Sequence, residues 1–381
     1  MPPGRYLGLI SGTSMDAVNA VLADISPAGF RTLAARAEPL PEALVARLRR
    51  LAIPGAQAVD SDALDELGEL DALVGELFAA AALGLLAARE LQPSAIRAIG
   101  SHGQTLRHRP RAPRPFTLQI GDPNIIAART GIPVVADFRR RDMALGGQGA
   151  PLVPGFHAAV FAGPDEYRAV LNLGGVANLT LLAPGRPVTG FDTGPANGLM
   201  DAWTRRHLQA PFDAHGAWAA TGEVSAPLLE ALLAHPFLAL PPPKSTGPED
   251  FDPAWLDGVV KRAGEPPPEV VQATLCEFAA AGVADALAAA PPHRLIACGG
   301  GVHNRHLMAR LAARLPHTTV ESSAAHGIDP DQVEAAAFAW LAARTVAGLP
   351  GNVPSVTGAA RAAVLGATWP GDSAGEERPA R

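Results

Sequence analysis

Twice in this chain an apolar, strand-like run breaks at a glycine-rich turn and then resumes as a strand. Residues 5–10 run into Ser11-Gly12-Thr13-Ser14-Met15-Asp16, and Val18 to Ile25 resumes the apolar pattern. Arg168 to Leu173 runs into Gly174-Gly175-Val176-Ala177-Asn178, and Leu179 to Leu182 continues as a strand. The first unit reads as a hairpin, not as a strand entering a helix, because Pro27 and Gly29 soon close it. This echo predicts two similar domains with a cleft between them, and the length of 381 residues accommodates both.

Between the echoes, strands and helices alternate, which implies α/β architecture. Helical periodicity covers Leu40 to Arg50, Ser61 to Glu90, Leu199 to Leu208, His306 to Leu315 and Val333 to Ala347. Short strands are predicted at Ile96 to Ile99, Thr117 to Ile120, Ile132 to Ala136 and Leu295 to Ala297. The expected division is 1–150 for the first domain, with residues 350–381 returning to it, and 151–349 for the second. Gly146 to Gly149 and Pro350 to Pro354 are candidate crossings between them. Ala359 to Leu365 reads as a return strand or short helix, and the polar last dozen residues as a frayed end.

With 48% hydrophobic and 18% charged residues, the chain can build a sizeable core. A net charge of −6 argues against bulk nucleic-acid or anionic-membrane binding. The two cysteines, Cys276 and Cys298, have no metal-ligand spacing and, without a signal peptide, point to a reducing cytoplasm. The apolar run Phe78 to Leu86 is flanked by acids and Arg89 within a span too short for a membrane, so a packed helix is expected. Neither a nucleic acid nor a membrane is an expected partner.

No Walker sequence ending in Gly-Lys-Ser/Thr is present, since Lys244-Ser245-Thr246 follows three prolines. A bound nucleotide would therefore rely on backbone amides and a metal. The turn from Ser11 to Asn19 suits that role, with Asp16 able to hold Mg²⁺ through waters. The same residue types also make ordinary hairpin turns. Gly299-Gly300-Gly301, between a strand and a helix, would let backbone approach a flat ligand such as a purine ring. Asp192, in the expected rigid turn Gly190 to Asn197, could take a proton from an attacking hydroxyl or water. Its structural alternative is a cap for the following helix, although Asn197 sits closer to that role. Gly100-Ser101-His102-Gly103-Gln104-Thr105 places polar groups at an expected strand end, where α/β sheets bind ligands. Glu334 falls at a helix start, where an acid also complements the helix dipole. Arg139-Arg140-Arg141 reads as a solvated or phosphate-facing loop.

Seven ordered segments resemble the anhydro-N-acetylmuramic acid kinase family. They are Ser11 to Asp16, Ser101 to Thr105, Gln119-Ile120-Gly121-Asp122, Asn172 to Asn178, Phe191 to Pro195, Pro242 to Gly247 and Gly299 to Asn304. They run from about residue 5 to residue 365, nearly the whole chain. The resemblance implies the two-domain fold shared by sugar kinases, Hsp70 and actin. It also implies a reaction in which water opens the 1,6-anhydro ring, O6 is phosphorylated by ATP, and N-acetylmuramic acid 6-phosphate and ADP result, in cell-wall recycling. ATP phosphates are expected against Gly12, Thr13, Ser14, Met15, Asp16, Ala17, Val18 and Asn19, and against Asn172, Gly174, Gly175 and Asn178. Adenosine is expected against Gly299, Gly300, Gly301 and Asn304. His102, Gln104, Gln148, Thr193, Gly194 and Asn197 are the sugar-side candidates. By resemblance Asp192 activates the water, Glu334 assists at the ring oxygen, Asp16 serves Mg²⁺, and the protein is a cytoplasmic homodimer. The family usually has Gly and Asp where this chain has Ala17 and Asn19, so a reshaped first turn is expected. Ala196 likewise replaces a usual Gly beside Asp192. A conventional amino-sugar kinase, with Asp192 deprotonating a 6-hydroxyl, and an ATP-gated binding module of the same fold are the alternatives.

Overall fold

The computed structural model describes residues 1–12, 14–52, 62–247 and 250–371. Thr13, Ser61 and the frayed end expected beyond residue 371 lie outside the described residues. The chain forms two compact units, Met1–Phe156 with Glu334–Arg381, and His157–Val333. Gly146 to Gly149 and Pro350 to Pro354 therefore both lie inside the first unit and are not crossings.

In chain order the first stretch holds β1 (Gly4–Ser11), β2 (Ala17–Ser26), β3 (Gly29–Pro39), α1 (Glu42–Ala52), α2 (Ala63–Ala87), β4 (Ile96–Arg109), β5 (Phe116–Ile120), α3 (Pro123–Thr130), β6 (Val134–Ala136), α4 (Phe138–Ala144) and α5 (Pro154–Phe161). Next come β7 (Arg168–Leu173), β8 (Val176–Leu182), β9 (Thr189–Pro195), α6 (Asn197–Leu208), α7 (Ala226–Leu233), α8 (Pro253–Arg262), α9 (Pro268–Leu287), β10 (Arg294–Cys298), α10 (Arg305–Arg314) and β11 (Thr319–Ser322). The chain closes with α11 (Val333–Val346), α12 (Pro354–Thr357) and β12 (Ala367–Trp369).

The echo seen in the sequence is a repeat of sheet topology. The first unit's sheet runs β12-β6-β4-β1-β2-β3, with β5 paired to β4 off that path, and the second unit's runs β11-β10-β7-β8-β9. In each, three successive strands form an antiparallel meander. Two parallel strands then add to the open side of the first: β4 and β6 in one unit, β10 and β11 in the other. The glycine turns after β1 and β7 thus occupy equivalent places.

Several elements differ from the expectation. β3 continues the first meander past Pro27 and Gly29 because it is an edge strand, where polar residues and Pro39 are tolerated. The same reason makes Thr189–Pro195 a strand rather than a turn, with Asp192 inside it, since β9 is the other edge. The polar segment around His102 lies in the middle of β4, not at its end. Ala359 to Leu365 is neither strand nor helix, and the return strand is β12. Helices α7, α8 and α9 were not foreseen. α9 is buried on nearly every side, so its sequence carries no polar stripe to mark it as amphipathic.

Each unit has its own core. The first packs Leu7, Leu9 and Leu22 from the sheet against Leu70, Val74 and Phe78 of α2. The second packs Leu171 and Leu179 against Leu275, Phe278 and Val283 of α9. By length and composition α2 and α9 could each cross a membrane, so the length argument made for Phe78 to Leu86 fails. The packed-helix reading rests on burial instead: 72% of the apolar window of α9 and 50% of that of α2 are inside the protein.

Candidate active site

In the first unit the turn between β1 and β2 is closed by the Met15 N–H donating to the Gly12 carbonyl at 3.1 Å. Met15 has φ 56°, a left-handed conformation that costs a non-glycine residue roughly 1–2 kcal/mol. Its side chain is buried in the core, which anchors the strained residue. Asp16 is exposed, and its Oδ1 accepts from the Ser14 hydroxyl at 2.7 Å and the Ala17 N–H at 3.0 Å. The left-handed residue of this turn is Met15, while Ala17 has no positive φ and opens β2 opposite Pro39. Val18 is buried and Asn19 pairs with Ile10 across the hairpin.

Behind this turn, Gln104 uses its amide to brace it. Its Oε1 accepts from the Ser11 hydroxyl at 2.6 Å, and its Nε2 donates to the Gly12 carbonyl at 3.4 Å and the Thr105 carbonyl at 3.2 Å. Gln104 is buried, so its place is beneath the β1–β2 turn rather than on an open surface.

A second group gathers around Arg139, which lies on α4 and is half-buried rather than in a solvated loop. Arg139 Nε donates to His102 Nε2 at 2.9 Å and Nη1 donates to the Gly149 carbonyl at 2.8 Å. His102 Nδ1 meets the Gly103 carbonyl at 2.9 Å, and the ring lies 4.6 Å from that of Phe338. Burial, then the Arg139 charge, hold the His102 pKa well below its ordinary value, so the ring is neutral, with its proton on Nδ1. Burial lowers Arg139 to about 10, with Glu334 and Asp142 pulling the other way. Glu334, on the first turn of α11, is raised by desolvation and held back by Arg139, although water still reaches it. Gln148 is fixed through its N–H, which donates to the Thr357 carbonyl at 2.8 Å.

In the second unit Asp192 is the centre of the geometry. It is the register partner of Asn178, next to a bulge between Ala177 and Asn178. Its N–H donates to the Lys244 carbonyl at 3.0 Å, and its Oδ2 accepts from the Thr246 N–H at 2.9 Å. Desolvation raises its pKa to about 6, against the Thr246 hydrogen bond and the Lys244 charge. Lys244 is held by the Phe237 and Leu238 carbonyls at 3.2 and 2.9 Å. Thr246, Lys244 and Arg139 are the partners that sequence reasoning missed, although the Pro242 to Gly247 motif pointed to the first two.

Gly194, at φ 134°, and Thr193, whose hydroxyl donates to the Ala177 carbonyl at 3.3 Å, continue β9 beside Asp192. The turn Gly174-Gly175 is tied to the start of α6. The Asn197 N–H donates to Gly174, and the Ala196 and Gly198 N–H groups donate to Gly175. Ala196 has φ −116°, outside the left-handed region that favours glycine. The Asn197 amide reaches back to the Leu173 carbonyl at 2.9 Å.

The three glycines after β10 are not equivalent. A methyl group on Gly299 would stand 2.6 Å from Asn172 Oδ1, and one on Gly301 2.5 Å from Leu173 Cβ. Both glycines are thus required by close packing against the β7–β8 turn. Gly300 is exposed, with open space where its side chain would be, and is free to meet a ligand. Asn304 is occupied as the cap of α10, its Oδ1 accepting from the Leu307 N–H at 2.9 Å. The second unit thus brings together Asn172, Gly174, Gly175, Asn178, Asp192 and Gly299 to Gly301. The first brings together the Gly12 to Asp16 turn with Gln104, and separately His102, Arg139, Gln148 and Glu334.

Two copies of one sheet order, each with its glycine hairpin after the first strand, define a two-unit α/β protein of the sugar-kinase, Hsp70 and actin class. The sequence profile described as anhydro-N-acetylmuramic acid kinase matches residues 4–371. The chain belongs to that family. A relative of that name from Xanthomonas campestris pv. campestris (strain 8004) is 55% identical over 370 residues, covering 96% of this chain and 97% of the relative. Another, from Shewanella pealeana, is 49% identical over 370 residues, covering 96% and 99%. Among solved structures, a ROK family glucokinase from Streptomyces griseus in complex with glucose and AMPPNP aligns with a TM-score of 0.39 at 14% identity, covering 89% and 99%.

Proposed function

We propose that this protein uses ATP to open the 1,6-anhydro ring of 1,6-anhydro-N-acetylmuramic acid and to phosphorylate O6, giving N-acetylmuramic acid 6-phosphate and ADP in peptidoglycan recycling. The observation that carries the reading is Asp192, a carboxylate set by the Thr246 amide with a pKa of about 6. A base poised near the working pH is what activation of water requires. We assign the water proton to Asp192 Oδ1. The water oxygen bonds to the anomeric carbon as its bond to O6 breaks, and O6 takes the γ-phosphoryl group as ADP departs. Glu334, whose pKa desolvation raises against the pull of Arg139, is assigned to proton transfer at the ring oxygen. An inverting cleavage needs one group on the water and help for the departing oxygen.

The phosphates are assigned to the Gly12 to Asp16 and Gly174 to Asn178 turns, and adenosine to the face at Gly300. The donor set suits Mg²⁺: the exposed carboxylate of Asp16 is the kind of single oxygen ligand taken by an ion that keeps several of its waters. When bound, Mg²⁺ neutralises charge on the transferred phosphate oxygens. A cytoplasmic homodimer goes with the family reading.

The test is ADP release from ATP with the anhydro sugar compared with N-acetylglucosamine and glucose, run in ¹⁸O-labelled water. Sugar-dependent ADP with label at the anomeric carbon, above free-sugar exchange, is the expected result. Turnover of glucose or N-acetylglucosamine without label would replace the reading by a conventional sugar kinase.

A further inference from the structure

Asp142 carries no role in the chemistry above, yet it is fully buried on α4 as a carboxylate. Its Oδ1 accepts from Asn352 Nδ2 at 2.7 Å and from the Thr357 hydroxyl at 2.8 Å, and its Oδ2 accepts from the Gly149 N–H at 2.8 Å. The main chain follows the same path. The Gly147 N–H donates to the Asp142 carbonyl at 3.0 Å, and the Ala360 N–H donates to the Leu145 carbonyl at 2.9 Å. A methyl group on Gly147 would stand 2.8 Å from the Asp142 carboxyl carbon, so the loop closes on the acid without room for a side chain. Asn352 is itself fixed, its Oδ1 accepting from the Ala363 N–H at 2.7 Å.

One buried carboxylate thus clamps the Gly146 to Gly149 loop onto the segment that returns after α11. The clamp ends at the Gly149 peptide, whose carbonyl is held by Arg139, and Arg139 in turn holds His102. Gln148 sits between the two clamped glycines. Burying an ionised carboxyl with three donors is costly unless each bond is made, and replacing a buried partner usually costs more than its share.

We infer that Asp142 is a positioning residue for the sugar half of the reaction, fixing Gln148 and, through the Gly149 carbonyl, the Arg139–His102 pair. The inference rests on the proposed function and on His102 and Gln148 as the sugar-side candidates that the family resemblance implies. It predicts a defect in sugar handling that spares ATP, because among the described residues no hydrogen bond joins the proposed nucleotide turns to this clamp.

The test is Asp142→Asn, an isosteric change that leaves the Gly149 N–H facing an amide it cannot satisfy along with the Asn352 and Thr357 donors. With wild type first shown to turn over the anhydro sugar, kcat/KM for that sugar is expected to fall roughly ten- to a hundredfold, as for a small misplacement of positioning groups. The KM for ATP is expected to stay within about twofold of wild type. Thr357→Val, which removes one donor and keeps the Gly149 bond, is the second variant if Asp142→Asn is insoluble. It is expected to raise the sugar KM about two- to fivefold, again with ATP spared. A soluble variant in which sugar and ATP parameters fall together, or neither moves, overturns the inference. Failure of wild type to use the anhydro sugar instead overturns the functional reading.

Discussion

Gly8 of β1 lies directly beneath Ala335 of α11: a methyl group there would run into the Ala335 carbonyl and stand 2.6 Å from Ala339 N. Gly100 of β4 meets the same helix one turn on, with Phe338 C at 2.7 Å and Ala342 Cβ at 3.0 Å from the same added atom. α11, whose first turn carries Glu334, therefore rests on bare backbone. Gly8→Ala and Gly100→Ala are each expected to cost more than about 4 kcal/mol, the range of severe backbone and packing lesions. Chemical denaturation checks this, and a loss below about 1 kcal/mol would show that the helix can lift without penalty.

Asp192→Asn removes the base and keeps the shape. The amide oxygen can still accept from Thr246. Turnover is expected to fall about 10²- to 10⁴-fold with ATP affinity nearly unchanged, read by ADP release and by calorimetric titration of ATP. Near-wild-type turnover would falsify the assigned role.

The pH dependence follows from the same carboxylate. With its pKa raised to about 6, kcat/KM should climb as pH rises through 6 and level off above it. Lys244 favours the ionised form, so Lys244→Met should move that limb to higher pH. Stability runs the other way. The folded pKa exceeds the ordinary value of 3.8, so folding favours the protonated acid, and that contribution fades as pH rises through about 6. Asp192→Asn should therefore melt higher than wild type at pH 8, with the gap closing toward pH 4, as followed by thermal scans.

The three glycines after β10 should separate in a stability series. Gly299→Ala adds an atom at φ 80° facing Asn172 Oδ1, and Gly301→Ala one facing Leu173. Each is expected to lose about 1–3 kcal/mol. Gly300→Ala should stay within about 0.5 kcal/mol of wild type and instead raise the KM for ATP. Equal stability losses at all three positions would contradict the assignment of Gly300 to ligand contact.

Asp16→Asn keeps the Ser14 and Ala17 hydrogen bonds to Oδ1 in reach but removes the negative charge available to a cation. The Mg²⁺ concentration for half-maximal rate should rise at least about tenfold, with the melting temperature little changed, as expected of an exposed position. An unaltered Mg²⁺ titration would remove Asp16 from the metal site.

The two hairpins were legible because glycine and hydroxyl residues interrupting apolar runs have few other uses. The edge strands β3 and β9 were not, since edges accept the Gly, Pro and charged residues that elsewhere signal turns. Asp192 was read as part of a rigid turn, but its backbone belongs to strand β9. Arg139 could not be read from its sequence neighbours: Arg140 is exposed, and only tertiary placement against His102 and Gly149 separates the two. Ala17 looked like a departure that would reshape the turn, but the residue needing a left-handed backbone is Met15, which the sequence presents as an unremarked apolar side chain. The α9 helix was invisible to pattern reading because burial on nearly every side leaves no clear period.

Both cysteines are buried, and burial with neighbouring acids pushes the Cys276 thiol up to about 12. A thiol held protonated is a poor nucleophile. The natural chain is therefore already a quiet background for thiol-directed dyes, needing no prior cysteine removal. A single Arg305→Cys at the exposed start of α10 would carry a fluorophore beside the triple-glycine turn, turning nucleotide arrival into an optical signal on otherwise unmodified protein.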